Sequence, residues 1–598
     1  MNPTMEILAR ISKNSHANKE EVFTKLYRYL LRPDIYFEAY KNLYANNGAS
    51  TKGVDNDTAD GFSENKIANI IKSLNDETYQ PKPVRRTYIK KQNGKMRPLG
   101  IPTFTDKLVQ EAVRMILEAV FEPIFLNQSH GFRPNRSCHT ALTELKKEFT
   151  GARWFIEGDI KGCFDNINHS VLIGCVNRKI KDARLTKLIY KFLKAGYMEN
   201  WQYNNTYSGT PQGSGCSPIL SNIYLHELDK FVMKLKADFD IYEKKQNYTP
   251  EYNALNTKMQ SLYGRINKSD GVKRKDLLTE YKNIRKEKMK TPAKSQTDKK
   301  IKYIRYADDF IIGVNGSRED CVEIKQKLTE YILKTLKMEL SAEKTLITHS
   351  NNHARFLSYD VRVRRNTKIK RVGKLKRAKR TLSNKVELNV PFADKIHNFI
   401  FSKRIATQKQ DGTLFPVYKV DLTNLSDLEI VSSYNAELRG LCNYYFLAGN
   451  FTKFNYLSYL MEYSCLKTLA VKHKRSIRKI IKKFNDGTGR WGIPYETKTG
   501  WSRCYFADYT DCKGGKDCAD IISTATIFFK LTVNTLEKRL KAKICELCGN
   551  SESEYYEMHH INKVKNLKGK EPWEIAMIAK RRKTLVVCLD CHKKIHNQ

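Results

Sequence analysis

Apolar residues follow two different patterns along the middle of the chain. Between residues 85 and 360, short runs rich in β-branched and aromatic residues, such as Trp154-Phe155-Ile156 and Phe310-Ile311-Ile312, alternate with longer stretches of helical periodicity. Mixed patterning of this kind is typical of a domain that combines a sheet with helices. We therefore expect an α+β or α/β domain here, preceded by a mainly helical region over residues 1–80 that ends at Pro81-Lys82-Pro83.

Two later stretches read differently. Residues 242–302 are rich in Lys, Glu and Gln and poor in strand formers, which predicts an inserted helical hairpin or a partly mobile loop. A basic run over residues 364–385 then leads into a mainly helical segment. Within that segment, Ser426 and Glu429 have the spacing of a capping box, and apolar residues follow at helical spacing. These apolar positions are Leu428, Val431, Tyr434, Leu438, Leu441 and Tyr445.

The length and the charge of the chain indicate how many domains to expect and what kind of partner the protein binds. At 598 residues the chain is longer than one hydrophobic core usually serves, so we expect several domains. Lys and Arg number 107 against 64 Asp and Glu, and the resulting formal charge of +43 is spread along the whole chain. Such an excess of cations favours nucleic-acid phosphates and predicts affinity that falls steeply with salt. For any single basic cluster, a solvated charged face is the alternative.

The N-terminus and most cysteines fit a cytoplasmic protein. Residues 1–14 lack the apolar core of a signal peptide, and no run is long enough to cross a bilayer, so we expect no membrane partner. Ten of the 14 cysteines stand at irregular spacing and read as reduced, buried thiols.

Acidic residues in the middle of the chain are the first candidates for chemistry. Asp308 and Asp309 end the string Tyr306-Ala307-Asp308-Asp309, and apolar runs on both sides predict a β-hairpin with two carboxylates at its turn. Asp159 ends another apolar run and supplies a third carboxylate. Nucleotidyl transfer needs acidic oxygens around two Mg²⁺ ions about 3.5 to 4 Å apart. An Asp at a strand end is more often a turn or cap residue, so only the combination favours a site.

Seven ordered strings over residues 85–360 resemble the reverse transcriptase family. They are residues 97–102 (RPLGIP), 129–134 (SHGFRP), the Asp159 segment, 210–213 (TPQG), 306–309 (YADD), 343–345 (EKT) and 356–359 (FLSY). The resemblance implies a right-hand polymerase of fingers, palm and thumb that copies RNA into DNA from dNTPs. Asp159, Asp308 and Asp309 would then hold two Mg²⁺ ions.

The same resemblance implies contacts with nucleotide and template. Phe164 matches the bulky residue that excludes a ribose 2′-hydroxyl, and Gln212 would lie against the template-primer and the incoming base. Lys95 and Arg97, on a Gly-containing turn, are candidates for gripping the triphosphate, with generic surface charge as the alternative. Two more positions within the matched strings complete the set: Ile160 in the Asp159 segment and Lys344 in residues 343–345.

Four cysteines near the C-terminus form two pairs with zinc-site spacing. Cys545 and Cys548 enclose two residues, and so do Cys588 and Cys591. Thiolates at this spacing in a reducing context favour tetrahedral Zn²⁺. We expect a structural zinc site, with free buried thiols as the alternative.

Histidines interleave with these cysteines. His559 and His560 are adjacent, and His592 and His596 share a helix face. The segment resembles the HNH endonucleases, in which a ββα fold grips one divalent ion. By that resemblance His559, His592 and His596 bind the ion and His560 is the general base that activates water. Thr584 stands near the place of the Asn that orients this base in the family, and a purely structural, DNA-gripping zinc module is the alternative.

The order of these segments resembles the bacterial group II intron-encoded proteins of the lactococcal type. Residues 47–55 resemble their RNA-gripping N-terminal extension, and residues 439–445 and 466–474 resemble their thumb, the maturase or X domain. Candidate RNA contacts are Arg439, Asn443, Tyr444, Lys472 and Lys474. The expected domains are an RNA-binding extension (1–80), fingers and palm (81–370, with the 242–302 insertion), thumb (371–484), a DNA-binding segment (485–540) and a zinc-containing HNH module (541–598).

Three linked activities follow from that resemblance. The protein would bind its intron RNA and promote splicing, nick target duplex DNA, and copy the intron RNA from the new 3′-hydroxyl. Trp491 and the Lys-rich flanks of residues 485–540 would help hold the DNA, and a homodimer is a further possibility. Two alternatives stay open: a splicing cofactor with a vestigial polymerase, and a bacterial reverse transcriptase without an intron.

Overall fold

The structure is a computed structural model of the 598-residue chain. It describes residues 3–46, 48–90, 94, 96–200, 202–209, 215–241, 248–291, 293, 299–365, 370–372, 377–379, 384–497, 500–512 and 535–597. Lys95 and Gln212, singled out in the sequence, lie outside the described residues.

Helices and strands alternate through these ranges. The α-helices are α1 Thr4–Ala17, α2 Pro33–Leu43, α3 Glu64–Asn75, α4 Phe104–Phe121, α5 Cys138–Glu148, α6 Cys163–Asn166, α7 His169–Asn177, α8 Ala183–Lys194, α9 Ser217–Phe239, α10 Pro250–Ile266, α11 Gly271–Lys290, α12 Arg318–Lys334, α13 His397–Ser402, α14 Asp427–Tyr444, α15 Phe454–Lys472, α16 Ile477–Phe484, α17 Thr535–Lys541, α18 Pro572–Lys580 and α19 Leu589–His596.

The strands are short, and most follow the apolar runs of the sequence. They are β1 Phe62–Ser63, β2 Val84–Lys90, β3 Met96–Ile101, β4 Trp154–Asp159, β5 Tyr197–Glu199, β6 Gln202–Asn204, β7 Lys300–Tyr306, β8 Asp309–Asn315, β9 Ile347–His349, β10 Ala354–Phe356, β11 Tyr359–Val363, β12 Lys370–Val372, β13 Arg377–Lys379, β14 Val386–Asn389, β15 Ala406–Gln408, β16 Leu414–Pro416, β17 Gly492–Thr497, β18 Gly500–Tyr505, β19 Tyr556–His560 and β20 Thr584–Cys588. The predicted mixed helix-and-sheet, multidomain architecture is confirmed.

The central sheet has the strand order β7-β8-β4-β9 and is antiparallel throughout. Successive residues of a strand point to opposite faces, and this sheet is apolar on both. Ile156 and Ile312 pack into a core shared with the N-terminal helices, whereas Phe155 and Ile311 pack into a core shared with residues 386–507. Burial on both faces explains why these strands read as continuous apolar runs.

The N-terminal region is mainly helical, as predicted. Helices α1 and α2 pack on α4, whose residues are buried along nearly its whole length. In the 242–302 stretch, α10 and α11 form the predicted helical hairpin around a small core of their own. Strand β7 begins at Lys300, three residues inside the predicted insertion, because the alternating apolar residues from Ile301 onward belong to the central sheet.

Helix α14 begins as the sequence predicts. The Ser426 hydroxyl accepts the backbone N–H of Glu429, and the Glu429 carboxylate accepts the backbone N–H of Ser426, so the capping box is confirmed. This helix packs on α15, and both contribute to the core below the central sheet.

The C-terminal module joins the N-terminal region through a shared sheet. Strands β19 and β20 pair antiparallel and are followed by α19, and β1 adds to the edge of β19. Phe62 of β1 stacks on Tyr40 with ring centroids 4.0 Å apart, which anchors this edge in the N-terminal core.

None of the helices in the described ranges combines the length and apolar character that crossing a bilayer requires.

Candidate active sites

Strand register brings the three predicted carboxylates together. Asp159 is the last residue of β4 and lies directly opposite Asp309, the first residue of β8. Asp308 occupies the turn between β7 and β8, following Ala307, whose φ of +55° is left-handed. The hairpin predicted for this string is confirmed, and its acidic turn lies beside the end of β4.

Electrostatics at this turn favour a bound cation. Burial, followed by the adjacent Asp308 carboxylate and then Asp159, raises the pKa of Asp309 to about 7. Burial also raises the pKa of Asp308. Carboxylates close together in a partly buried site repel one another, and bound divalent ions offset that repulsion.

A buried arginine that sequence reasoning missed braces the turn. Arg305 is fully buried and forms a bidentate ion pair with Asp229 of α9 at 2.7 Å. The same guanidinium donates to the Ala307 carbonyl at 2.8 Å and to Ser129 Oγ at 2.8 Å. Asn222 completes the brace, accepting from Arg305 at 3.3 Å and donating to the Gly131 carbonyl. Lys300, Lys302 and Arg305 all stand among the apolar residues of β7, so the sequence did not mark Arg305 as the buried one.

Glycine is required where the backbone passes close to this turn. A Cβ at Gly131 would lie 2.3 Å from the Ala307 nitrogen. A Cβ at Gly158 would lie 2.1 Å from the Phe310 ring. The segment of residues 129–134, which contains Gly131, therefore packs directly against the backbone of the acidic turn.

Two cations stand near the carboxylates. Lys344 Nζ donates to Asp159 Oδ2 at 2.8 Å while its side chain stays 66% exposed. Arg97 is close enough to Asp308 to lower that residue's pKa, although burial dominates. Arg97 lies in strand β3, paired with Ile89, and not on the turn where we expected it.

The remaining nucleotide candidates differ in access. Phe164, in α6, makes an edge contact with the exposed Phe132 ring at 5.9 Å. Gly209 packs against the Phe164 carbonyl, where a Cβ would lie at 2.7 Å. Ile160 is only 1% exposed and its backbone bridges to Leu340, so any nucleotide contact there would come from the backbone.

The four C-terminal cysteines converge. Their Sγ atoms all lie within 4.8 Å of one another. Burial opposes ionisation of Cys545, but backbone N–H groups of Cys548 and Cys588 lower its pKa to about 7. Mutual proximity and donated hydrogen bonds are what a zinc tetrathiolate needs.

The predicted HNH histidines also converge, with an unexpected partner. Ligand atoms of His559, His592 and His596 lie within 4.8 Å of one another together with a carboxylate oxygen of Asp60. Burial alone would raise the pKa of Asp60, but ion pairs with His559 and His592 hold it well below its usual range. In turn the pKa of His592 is raised to about 9: burial opposes this, and hydrogen bonds to Asp60 and Glu557 outweigh it. Asp60 escaped sequence reasoning because it lies 499 residues from His559.

His560 is oriented differently from our expectation. Thr584 lies directly opposite it on β20, but the Thr584 hydroxyl accepts from Arg539 at 3.2 Å. The His560 ring instead contacts the Tyr44 carbonyl through Nε2 at 2.9 Å and Ser50 Oγ through Nδ1 at 3.4 Å. Burial lowers the pKa of His560, which keeps the ring neutral.

The RNA candidates divide into exposed and structural residues. Arg439 and Asn443 are exposed on α14, and Lys474 is exposed after α15. Tyr444 is partly buried, and its hydroxyl donates to the Leu357 carbonyl. Lys472 is paired with a carboxylate at 2.7 Å.

Trp491 does not present its ring as a DNA contact. It is 8% exposed, stacks on Phe506, and donates to Glu462. The expected role in holding DNA is thus contradicted for this side chain, because its indole packs in the core with α15. Residues 513–534 of the expected DNA-binding segment lie outside the described residues.

Three protein-family models match successive parts of the chain. The family described as reverse transcriptase (RNA-dependent DNA polymerase) matches residues 89–245, type II intron maturase matches 383–511, and the AI2M/AI1M-like HNH endonuclease family matches 545–592. The chain is 62% identical to the group II intron-encoded protein LtrA of Lactococcus lactis subsp. cremoris, over 100% of this chain and 99% of that protein.

More distant relatives come from yeast introns. An uncharacterized 91 kDa protein in the cob intron of Schizosaccharomyces pombe is 35% identical, over 95% of this chain and 69% of that protein. A putative COX1/OXI3 intron 2 protein of Saccharomyces cerevisiae is 31% identical, over 98% of this chain and 68% of that protein. The chain therefore belongs to the group II intron-encoded proteins and carries reverse transcriptase, maturase and HNH endonuclease domains.

Proposed function

We propose that this protein binds its group II intron RNA to promote splicing, nicks a target DNA, and copies the RNA into DNA by target-primed reverse transcription. The observation that carries the polymerase part is the register that puts Asp159 opposite Asp309, with Asp308 at the adjoining turn. Full-length similarity to LtrA supports the combination of activities in one chain.

In the polymerase, Asp159, Asp308 and Asp309 would hold two Mg²⁺ ions at the palm of a right hand. Bound ions would activate the primer 3′-hydroxyl and stabilise the leaving pyrophosphate. The chain's own contribution is positioning: Arg305 fixes the acidic turn, and Lys344 and Arg97 place positive charge where a triphosphate would lie. Phe164 would select dNTPs against rNTPs, and Gln212 would contact the template-primer.

In the maturase role, the charge of the chain matters more than any single contact. A net charge of +43 suits a surface that carries folded RNA, duplex DNA and their hybrid. Arg439, Asn443 and Lys474 are exposed on or after the thumb helices and are the available RNA contacts. Lys472 and Tyr444 act first as structural residues, because both are held by intramolecular bonds.

In the nuclease, His560 would take a proton from water that attacks a DNA phosphodiester. A neutral imidazole is the form that can accept this proton, and burial keeps His560 neutral. His559, His592 and His596 fit one divalent ion, and the four cysteines fit one structural Zn²⁺.

A pair of assays separates this proposal from a splicing cofactor with a vestigial polymerase. Asp308→Ala with Asp309→Ala should reduce cDNA synthesis on primed RNA by more than about 1,000-fold, since both carboxylates are lost, while splicing of the intron RNA persists. Asp270→Ala with Asp276→Ala removes two exposed carboxylates of the 242–302 insertion and should leave both assays unchanged. Wild-type protein that aids splicing but yields no cDNA would establish the vestigial alternative.

A further inference from the structure

The N-terminal region reaches into the HNH module at one point. Gly61 donates its backbone N–H to the Met558 carbonyl, and Phe62 and Ser63 pair with Met558 and Glu557 at the edge of β19. This added strand fixes the preceding residue, Asp60, beside the histidine cluster. Asp60 also accepts the backbone N–H of His560 at 2.6 Å, so its carboxylate has little freedom.

The Asp60 carboxylate is shared among all three histidines. Oδ1 lies 3.0 Å from His559 Nδ1, and Oδ2 lies 3.2 Å from His592 Nε2 and 2.7 Å from His596 Nε2. The two nitrogens of His592 and His596 are themselves 3.2 Å apart. Four ligand atoms from β19, α19 and the N-terminal region therefore surround one point.

An ordinary ion pair does not account for this cluster. His559 is 4% exposed, yet among the described residues neither of its ring nitrogens makes a hydrogen bond of acceptable geometry. Buried polar atoms normally have a hydrogen-bond partner, and a metal ion is one substitute for it. The second nitrogen of His592 is held by Glu557, the carboxylate–histidine arrangement that orients metal ligands.

We infer that Asp60 is a fourth protein ligand of the HNH ion, so that the N-terminal region completes the nuclease centre. Three imidazoles and one carboxylate suit a divalent transition ion such as Mn²⁺, Co²⁺, Ni²⁺ or Zn²⁺ better than Mg²⁺. His596 is 53% exposed and Asp60 20%, so the cluster is open on that side. An ion that accepts five or six ligands keeps positions there for a phosphate oxygen.

The same region positions the general base. With its Nε2–H donated to the Tyr44 carbonyl, His560 carries its lone pair on Nδ1, which the Ser50 hydroxyl contacts at 3.4 Å and from which water would have to displace it to give up a proton. The Tyr44 carbonyl thereby does the work that Thr584 cannot do, since the Thr584 hydroxyl is engaged by Arg539. Tyr44 and Asp60 act together as parts of one nuclease site.

This inference rests on the proposed nuclease, and the test separates the two. Full-length protein with its cysteine site filled by Zn²⁺ is titrated with Co²⁺. Binding is measured from the visible d–d absorption of the bound ion. Four- or five-coordinate Co²⁺ with histidine ligands absorbs more strongly than six-coordinate Co²⁺ on oxygen ligands at the polymerase site. The variants are Asp60→Ala, Asp60→Asn, His592→Ala and, as matched control, Glu64→Gln, an exposed carboxylate four residues after Asp60.

We expect Asp60→Ala to weaken Co²⁺ binding at least tenfold and Asp60→Asn to fall between it and the wild type, with Glu64→Gln unchanged. Nicking by Asp60→Ala should decrease and recover at higher ion concentration. Unchanged Co²⁺ affinity in Asp60→Ala, or faster nicking, would overturn the inference. Asp60 would then be a carboxylate that blocks the site and does not bind the ion. If His592→Ala also binds Co²⁺ normally, the proposed HNH centre itself fails. Unfolding midpoints and zinc content equal to wild type show that each variant is folded.

Discussion

Asp159 and Asp309 face each other as directly paired residues of antiparallel strands β4 and β8. Side chains paired in this way on one face lie about 4.5 to 5.5 Å apart at Cβ, and like charges at that distance destabilise a sheet. The protein nevertheless adds a third carboxylate, Asp308, at the adjoining turn. Three neighbouring carboxylates lower the stability of the fold by mutual repulsion. Their presence is explained if they bind the ions of an ion-dependent reaction.

Gly131 should be essential for the polymerase although it carries no functional group. In Gly131→Ala, the new Cβ would lie 2.3 Å from the Ala307 nitrogen, so the turn that carries Asp308 must move. A displacement of about 1 Å at a reacting centre costs on the order of 100-fold in rate. We expect cDNA synthesis to decrease by that factor in a primer-extension assay.

Gly174→Ala is the matched control for this change. Gly174 lies in α7, and a Cβ there meets no atom within 4 Å. Alanine favours a helix over glycine by about 1 kcal/mol, so this variant should be at least as stable as the wild type and fully active. Equal activity of both variants would show that the acidic turn does not rest on Gly131.

Lys344 should contribute to dNTP binding. Its ammonium group donates to Asp159 yet remains 66% exposed, which leaves it available to a triphosphate. Lys344→Ala is expected to raise KM for dNTPs about tenfold with a smaller change in kcat, the loss of roughly one charge-assisted hydrogen bond. Lys161→Ala, which removes an exposed lysine paired with Glu339 at 3.5 Å, should change neither constant. An unchanged KM in Lys344→Ala, with a lower Mg²⁺ requirement, would reduce Lys344 to a counter-ion of Asp159.

Local patterns in the sequence predicted what local physics determines. The β7–β8 hairpin, the capping box at Ser426 and the α10–α11 hairpin follow from apolar spacing and short-range hydrogen bonds, and all three are present. The convergence of Asp159 with the acidic turn was predicted from the combination of motifs and from the family resemblance, because strand order cannot be read from one run of residues.

Long-range partners escaped the sequence for a physical reason. Asp60, in a polar stretch of small residues, gains its partners only when β1 joins β19 across nearly 500 residues of chain. Asp229 lies on an apolar helix and reads as a surface charge until Arg305 meets it in the core. Trp491 was predicted to contact DNA but is buried. An aromatic residue among cations is equally compatible with a side chain that packs in the core.

Phe164 should control the choice between dNTPs and rNTPs. Its ring rests on Phe132, and Gly209 packs against its carbonyl, so its place is fixed by neighbours and not by its own flexibility. Phe164→Val is expected to lower discrimination against rNTPs at least tenfold, since a smaller side chain leaves room for the 2′-hydroxyl. Phe415→Val, at a 45% exposed position in β16, should not alter selectivity. Unchanged selectivity in Phe164→Val would place the barrier elsewhere.

Loss of one cysteine ligand should unfold the C-terminal module. Cys545→Ser is expected to lower bound zinc by one equivalent and to expose residues 541–598 to protease, because metal binding contributes folding free energy in small modules. Reverse transcription should be affected less than nicking. Cys504→Ser, a partly exposed thiol outside the cluster, should retain full zinc content. Full zinc content in Cys545→Ser would exclude the tetrathiolate site.

His226 should make the stability of helix α9 depend on pH. It is 5% exposed, packs edge-on against Phe125, and burial lowers its pKa to about 4. A histidine kept neutral by folding takes up its proton only in the unfolded chain, so stability is complete above about pH 6.5 and decreases as the pH falls towards 4. The loss is about 1.4 kcal/mol for each pH unit in that window. His226→Phe removes this group while keeping an aromatic ring. The difference in unfolding midpoint between the variant and the wild type should therefore be more favourable to the variant at pH 5 than at pH 7. His353→Phe, at an exposed position, should show the same offset at both pH values, and an equal offset for His226→Phe would contradict the assignment.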